Sequence, residues 1–164
     1  MRARGAALAL LAAGVLVGTS ACTYITPQAT MTITDITEGV NATVGAIDVR
    51  NALVLSEDGD TGSFLVNLLN TSDKGVNVRV QYQDADGAKM TELVFVNPGK
   101  LTSLGGPGGQ QLVFRNMDTA AGDLLPVFIQ YDKVPGAQLQ VPVLDESIDY
   151  FAGLLPSPSP SESK

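Results

Sequence analysis

The sequence predicts an all-β fold, an immunoglobulin-like or cupredoxin-like antiparallel sandwich of seven to eight strands. From residue 42 onward, short apolar runs alternate with segments rich in Gly, Asn and Asp, which is the spacing of strands and tight turns. Hydrophobic residues make up 45% of the chain and charged residues 16%, a composition typical of a folded domain. No segment of useful length has a helical period, so a parallel α/β architecture would lack its helices.

Seven strands are predicted in order along the chain. They span residues 46–55, 63–70, 76–83, 91–96, 111–115, 125–131 and 138–143. The third shows the clearest alternation, because its valines and Tyr82 fall on one face while its polar residues fall on the other. This strand is therefore expected to be buried on one side only. A short helical turn is expected within residues 144–151.

The first 21 residues have the order of a secretory signal. Arg2 and Arg4 precede an apolar stretch at residues 6–17, and small residues follow up to Ala21. A helix needs about 20 residues to cross the hydrocarbon core, and this stretch is shorter, so a permanent transmembrane anchor is the weaker interpretation. Cleavage of the signal is predicted between Ala21 and Cys22.

Cys22 is the only cysteine of the chain, so it has no partner for an internal disulfide. Residues 19–22 resemble the lipobox of bacterial lipoproteins, in which the thiol receives diacylglycerol and the cysteine becomes the new N-terminus. The resemblance implies a lipid anchor at Cys22 on the extracytoplasmic face of the cell membrane. Thr19 stands where the lipobox most often has leucine, and Thr19 and Ala21 also suit the general signal peptidase. A soluble secreted chain with a free Cys22 is the alternative.

The predicted organisation has four parts. Residues 1–21 are the signal peptide and residues 22–41 a lipidated flexible tether, rich in Thr and small polar residues. Residues 42–150 form the β-sandwich domain. Residues 151–164 form a Ser/Pro-rich tail, because alternating Ser and Pro cannot pack a core. The tail is either a solvated terminus or a site of sugar attachment or cell-wall contact.

Charge and residue content exclude several function classes. The net charge is −7, and loss of Arg2 and Arg4 with the signal leaves 8 basic against 17 acidic residues. Such a surface repels phosphate backbones, so nucleic acid is not an expected partner. The chain has no histidine, the commonest general base, and no spacing forces two carboxylates together. We therefore expect no enzyme activity and no cofactor.

Three segments with several Gly or Asp residues are predicted to be turns. Residues 57–60 and 84–87 contain acids, as calcium loops do, but neither completes the twelve-residue EF-hand pattern. Each lies between two predicted strands, where Asp and Gly suit hairpin turns. Residues 105–109 are glycine-rich like a phosphate-binding loop, but Pro107 has no N–H and a strand follows instead of a helix.

The order of several short motifs resembles the periplasmic copper chaperone family. These motifs are Arg50-Asn51-Ala52, Asn70-Thr71-Ser72, Asn97-Pro98-Gly99-Lys100, Pro107-Gly108-Gly109, Gly122-Asp123 and Val141-Pro142-Val143. The resemblance covers residues 44–144 and includes the small actinobacterial lipoproteins related to those chaperones. It implies a β-sandwich scaffold.

The same resemblance implies a surface Cu(I) site, but most of the ligands are absent. In the family, a histidine and a methionine two residues later follow the Pro-Gly-Gly turn, where this chain has Gln111 and Val113. Met90 matches the methionine of the preceding strand, whereas residues 79–83 contain neither histidine nor methionine. A single thioether cannot hold copper against competing thiols, so no metal site is predicted and Met90 is a weak candidate ligand.

These exclusions predict a non-catalytic binding or accessory module of the cell envelope. The expected partners are the membrane, through the N-terminal lipid, and another envelope protein or a wall or lipid component, contacted through exposed strands or loops. A copper chaperone-like, metal-handling protein with a degenerate site is the alternative.

Overall fold

The structure is a computed structural model that describes residues 38–156. The predicted cleavage and lipidation sites at Ala21 and Cys22, and the last eight residues of the predicted tail, lie outside the described residues. The strands are β1 (Val40–Val44), β2 (Ile47–Leu55), β3 (Gly62–Asn70), β4 (Val76–Gln83), β5 (Lys89–Val96), β6 (Leu101–Leu104), β7 (Val113–Phe114), β8 (Leu124–Tyr131) and β9 (Ala137–Leu144). A 3₁₀ turn, Asp149–Phe151, follows them. No helix in this part of the chain is long and apolar enough to cross a bilayer.

The strands form one curled sheet in the order β5-β4-β8-β9-β2-β3-β6, with β1 paired to β2 and β7 to β3. Neighbouring strands run antiparallel except β2 and β9, which pair in parallel at Val54↔Val143 and Leu55↔Leu144. This parallel contact joins a four-stranded half, β5-β4-β8-β9, to the half that contains β1, β2, β3, β6 and β7. The predicted all-β class is confirmed, and the described residues form nine strands where seven to eight were predicted.

The core lies between the two halves of the sheet and is built mostly from the inward-facing aliphatic side chains of the long strands. Its aromatic centre is a stack in which the ring of Phe114 lies 5.0 Å from that of Phe64 and 4.1 Å from that of Tyr82. The Tyr82 hydroxyl accepts a hydrogen bond from the backbone N–H of Arg115 at 2.8 Å and donates to its carbonyl at 3.1 Å. These bonds tie β4 to the residue that follows β7.

The C-terminal segment covers the outer face of β2 and β3. In β2 the register shifts between Arg50 and Leu53. The residues after the shift are buried on both faces of the sheet, and for this reason the end of the strand is apolar at every position. Leu53 and Leu65 form a second apolar cluster there with Phe151, which is only 1% exposed. Phe151, Leu154 and Leu155, which belong to the start of the segment predicted as a tail, pack in this cluster.

The two ends of the described chain meet beside this segment. The Tyr150 side chain hydrogen-bonds to the Glu38 carboxylate, and this bond lowers the pKa of Glu38. The pKa of Tyr150 is raised to about 12, mainly by desolvation and to a smaller extent by the hydrogen bond to Glu38. Glu38, the first described residue, thus lies close to the C-terminal segment that covers β2 and β3.

Candidate functional site

The outer face of the four-stranded half is lined by glutamine. Strands β4, β8 and β9 contain no Asp or Glu, although the chain has 17 acidic residues. Alternation sends valine, leucine and isoleucine side chains into the core, and it sends five glutamines outward together with Asn77, Arg79 and the apolar residues Leu124, Pro126 and Phe128. The outward glutamines are Gln81, Gln83, Gln130, Gln138 and Gln140. We call this surface the glutamine face.

A depression of about 330 Å³ lies at one end of the glutamine face. Pairing aligns the residues around it, since Gln81 lies opposite Phe128 on β8, and Phe128 lies opposite Gln138 on β9. Its lining residues are Gln81, Tyr82, Gln83, Lys89, Pro126, Phe128 and Gln138. The depression therefore combines three amides with an aromatic ring and a proline.

Two of these amides are oriented by neighbouring groups. Gln81 Nε2 donates to Thr91 Oγ1 at 2.9 Å, and Gln83 Nε2 donates to the Gly87 carbonyl at 3.0 Å. Both bonds use the amide nitrogen, so the carbonyl oxygens stay available to a ligand. No described residue makes a hydrogen bond to the Gln138 side chain, which offers both a donor and an acceptor.

Phe128 is held on the outer face by Gly136. A Cβ atom at position 136 would collide with Cζ of Phe128 and would lie 2.7 Å from the Ile129 carbonyl oxygen. Only glycine allows the ring to lie across this point of the sheet. A Cβ atom at Gly75 would likewise collide with Cζ of Phe95 on β5. Both outward phenylalanines of the four-stranded half therefore lie over a glycine.

The other end of this half of the sheet is apolar and open. Strand β5 is the last strand in the sheet order, and it exposes 61% of Leu93 and 55% of Phe95. Its first half carries charges at Lys89 and Glu92, whereas the segment 93–96 is uncharged. Charges and prolines usually protect edge strands from pairing with other chains. The second half of β5 lacks that protection, and we call it the open edge.

The candidate copper ligand lies on β5. Met90 is 39% exposed and pairs with Tyr82 across the β4–β5 ladder. Met117, the other described methionine, is buried in the core. Gln111 is exposed just before β7, and Val113 begins that strand. In the part of the chain that the structure describes, no three His, Cys, Asp or Glu side chains come together as a possible metal site.

The two acidic segments connect neighbouring antiparallel strands, as predicted. The Asp58 carboxylate accepts backbone hydrogen bonds from Asp60 and Thr61, both at 2.9 Å. These bonds, led by that from Thr61, lower the pKa of Asp58. In the second segment, Asp84 accepts a bond from the backbone of Ala88 at 2.7 Å. The carboxylates thus hold turns together.

Residues 105–109 connect β6 to the short β7. Gly105 has φ 73° and lies so close to the Phe64 carbonyl oxygen that a Cβ atom would be 2.8 Å from it. The Gly105 N–H donates to the Gln110 carbonyl at 2.9 Å, which closes the loop. This geometry confirms a strand connection.

No protein-family model matches this chain, and no curated protein resembles it closely enough to be counted as a relative. The likeness to copper chaperones and the lipobox at Cys22 therefore stay predictions from the sequence.

The glutamine face and the open edge are not predicted by the sequence pattern alone. Glutamine at every second position of two predicted strands, in Gln81, Gln83, Gln138 and Gln140, was the available signal. It could be assembled into one surface only with the pairing of β4, β8 and β9, which brings together residues more than 40 positions apart.

Proposed function

We propose that this chain is a membrane-anchored extracytoplasmic lipoprotein, held by lipid on Cys22, that binds another envelope protein and catalyses no reaction. The observation that supports the binding role is the open edge of β5, with Leu93 and Phe95 exposed. The anchor is supported by the signal-like leader and by the position of the single cysteine. The domain is thus a scaffold that presents a contact surface beyond the bilayer.

The binding mode is addition of a strand to the open edge. An extended segment of the partner would exchange hydrogen bonds with backbone groups on the free side of β5, apart from the Val96 carbonyl, which already accepts from Asn70. Its alternate side chains would contact Leu93 and Phe95, since cross-strand pairs between aromatic and branched residues stabilise a sheet. The matching partner is therefore a protein with an exposed strand or extended segment that has apolar residues at alternate positions.

A photo-reactive residue in place of Thr91 tests this mode in the intact, membrane-anchored chain. Thr91 is exposed and lies on the same face of β5 as Leu93. We expect a covalent adduct with one envelope protein that disappears when Leu93→Lys is added. Leu101→Lys, on the short strand β6, changes a side chain that is equally exposed at 58% and should leave the adduct intact.

Three results would contradict strand addition to another protein. They are the absence of an adduct from position 91, an adduct unchanged by Leu93→Lys, and an adduct formed only with a second copy of this chain. Thermal unfolding of both lysine variants within a few degrees of the parent would show that the loss of an adduct is not a loss of fold.

Metal handling is the alternative function, supported by the order of motifs that resembles copper chaperones and by the exposed thioether of Met90. Soft thioether ligands favour Cu(I), but one thioether gives little affinity. Titration of the whole chain with Cu(I) against a competing chelator distinguishes the two functions. Tight binding lost in Met90→Leu would establish metal handling, whereas the binding-module proposal expects the chelator to keep the copper.

A further inference from the structure

We propose that the depression on the glutamine face binds a sugar unit of a neutral oligosaccharide. This inference goes beyond the protein-binding role, because the depression lies at the end of the outer face where β5 begins with Lys89, whereas Leu93 and Phe95 belong to the second half of that strand. It rests on three features of the depression, which are its hydrogen-bonding groups, its apolar floor and the paired backbone around it.

The polar groups of the depression match hydroxyl groups. Gln81, Gln83 and Gln138 each carry an amide, which both donates and accepts, as a sugar hydroxyl does. Lys89 is the one charged lining residue, and no carboxylate lines the depression. A cation would find no anionic ligand there, and a polyanion would meet a single lysine on a chain of net charge −7. Uncharged polar ligands are favoured.

The floor of the depression suits the apolar face of a pyranose ring. Phe128 and Pro126 lie side by side on β8 at alternate positions, and Gly136 fixes the phenyl ring from below. Small-molecule sites generally combine an apolar lining with a few oriented polar groups, within about 300–1,000 Å³. A depression of about 330 Å³ is at the lower end of this range and accommodates one or two sugar rings.

The paired backbone argues against a peptide in the depression. Strands β4, β8 and β9 are hydrogen-bonded neighbours at this point, through Gln81↔Phe128 and Phe128↔Gln138. A peptide main chain therefore finds no free ladder groups there, unlike at the edge of β5. A ligand in the depression must therefore be recognised by side chains. The side chains present are glutamine amides next to the ring of Phe128.

Nuclear magnetic resonance titration of the whole ¹⁵N-labelled chain, in a zwitterionic detergent without a sugar headgroup, tests the proposal. The probes are neutral tetrasaccharides of β-1,4-linked N-acetylglucosamine, β-1,4-linked glucose and α-1,6-linked mannose, with tetra-alanine as the peptide probe. We expect at least one tetrasaccharide, at up to about 10 mM, to shift the side-chain amide signals of Gln81, Gln83 and Gln138.

Matched variants separate the depression from the rest of the glutamine face. Gln138→Ala removes a lining amide and should weaken the binding by about tenfold, equivalent to about 1.4 kcal/mol. Gln140→Ala, two residues along β9 and outside the lining, should change it by less than about twofold. Both positions are exposed, so neither change should alter the fold.

Four results would overturn the sugar site. They are the absence of shifts with all three tetrasaccharides, shifts that map away from β4, β8 and β9, equal affinity in Gln138→Ala, and a response to tetra-alanine alone. None of these results bears on the adduct formed from position 91, so the two proposals fail independently.

Discussion

Asn70 is a polar residue on which two turns depend. It is fully buried at the end of β3, and its amide nitrogen donates to the carbonyls of Lys74 and Val96 at 2.7 and 3.2 Å. Its side-chain oxygen accepts bonds from the backbone and hydroxyl of Ser72. A buried amide with this many partners is stabilising because every group removed from water is paired again.

Replacement of Asn70 by Ala should lower the free energy of unfolding by about 1–3 kcal/mol, because the carbonyl of Val96 would be left buried without its amide donor. Urea unfolding followed by circular dichroism measures the loss. Asn67→Ala, three residues earlier and partly exposed, is the control and should cost about 0.5 kcal/mol. Equal costs at the two positions would show that Asn70 has no special role.

Tyr82 should make stability depend on alkaline pH. Burial is the main cause that raises the pKa of its phenol, and the hydrogen bond with Arg115 opposes it. Because the folded-state pKa is raised, the protonated phenol stabilises the fold below the ordinary pKa of about 10, and this contribution is lost as the pH rises above it. Tyr82→Phe lacks this titration but also lacks the two hydrogen bonds to Arg115.

The destabilisation caused by Tyr82→Phe should therefore be about 1 kcal/mol at neutral pH and should shrink above about pH 10. Parallel unfolding curves of parent and variant between pH 7 and pH 11 measure the difference, and the other titrating groups cancel in the comparison. A difference that stays constant, or grows, above pH 10 would contradict a raised pKa at Tyr82.

At the scale of the elements, the long strands that the sequence predicted, from β2 to β5 and β8 to β9, each contain at least two buried residues, whereas the predicted segment 111–115 forms only the two-residue strand β7. Strand β4 was predicted with its observed bounds, Val76–Gln83, because alternate residues enter the core. Strands β1 and β6 were not predicted. Only Val44 in β1 and Leu104 in β6 are buried, so neither segment shows the alternation of apolar and polar residues that predicts a strand. Backbone pairing with β2 and β3, which a local pattern does not reveal, fixes them as strands.

The C-terminal segment was assigned to a tail because the sequence around it is rich in Ser and Pro. The structure instead places Phe151 against Leu53 and Leu65, on the outer face of the sheet. The unbroken apolar run at residues 53–55 indicates that this strand is covered on both faces, because apolar side chains on both sides of a strand must each pack against another segment. Which segment supplies the cover could not be predicted without the topology.

Phe151→Ala should lower the free energy of unfolding by about 3–5 kcal/mol, because the ring is 1% exposed and its removal leaves a cavity. Chemical denaturation measures the change. Tyr150→Ala, at the neighbouring and 56% exposed position, should cost less than about 1 kcal/mol. A small effect of Phe151→Ala would mean that the segment does not pack against the sheet and is a tail.

At the scale of the whole molecule, the contact between Glu38 and Tyr150 and the candidate surfaces belong to different halves of the sheet. Glu38 and Tyr150 meet beside the segment that covers β2 and β3, whereas the glutamine face and the open edge belong to the outer side of the other half of the sheet.

The fold class could be predicted from the sequence, but the surfaces to which we assign the proposed roles could not. Composition and alternation are local properties, and they were sufficient for the all-β class. The depression requires Gln81, Phe128 and Gln138 to lie side by side, which is a consequence of strand order. The exposure of Leu93 likewise depends on β5 being the last strand of the sheet.

The proposal that this molecule works at the membrane surface is tested most directly by mass spectrometry of the mature chain, expressed from the whole sequence in a bacterium and recovered from the membrane fraction. We expect an N-terminal peptide that begins at Cys22 and carries diacylglycerol on its thiol, and Cys22→Ala should move the chain out of the membranes. An N-terminus at Cys22 with an unmodified thiol, in the soluble fraction, would contradict the anchor and would establish a free secreted protein instead.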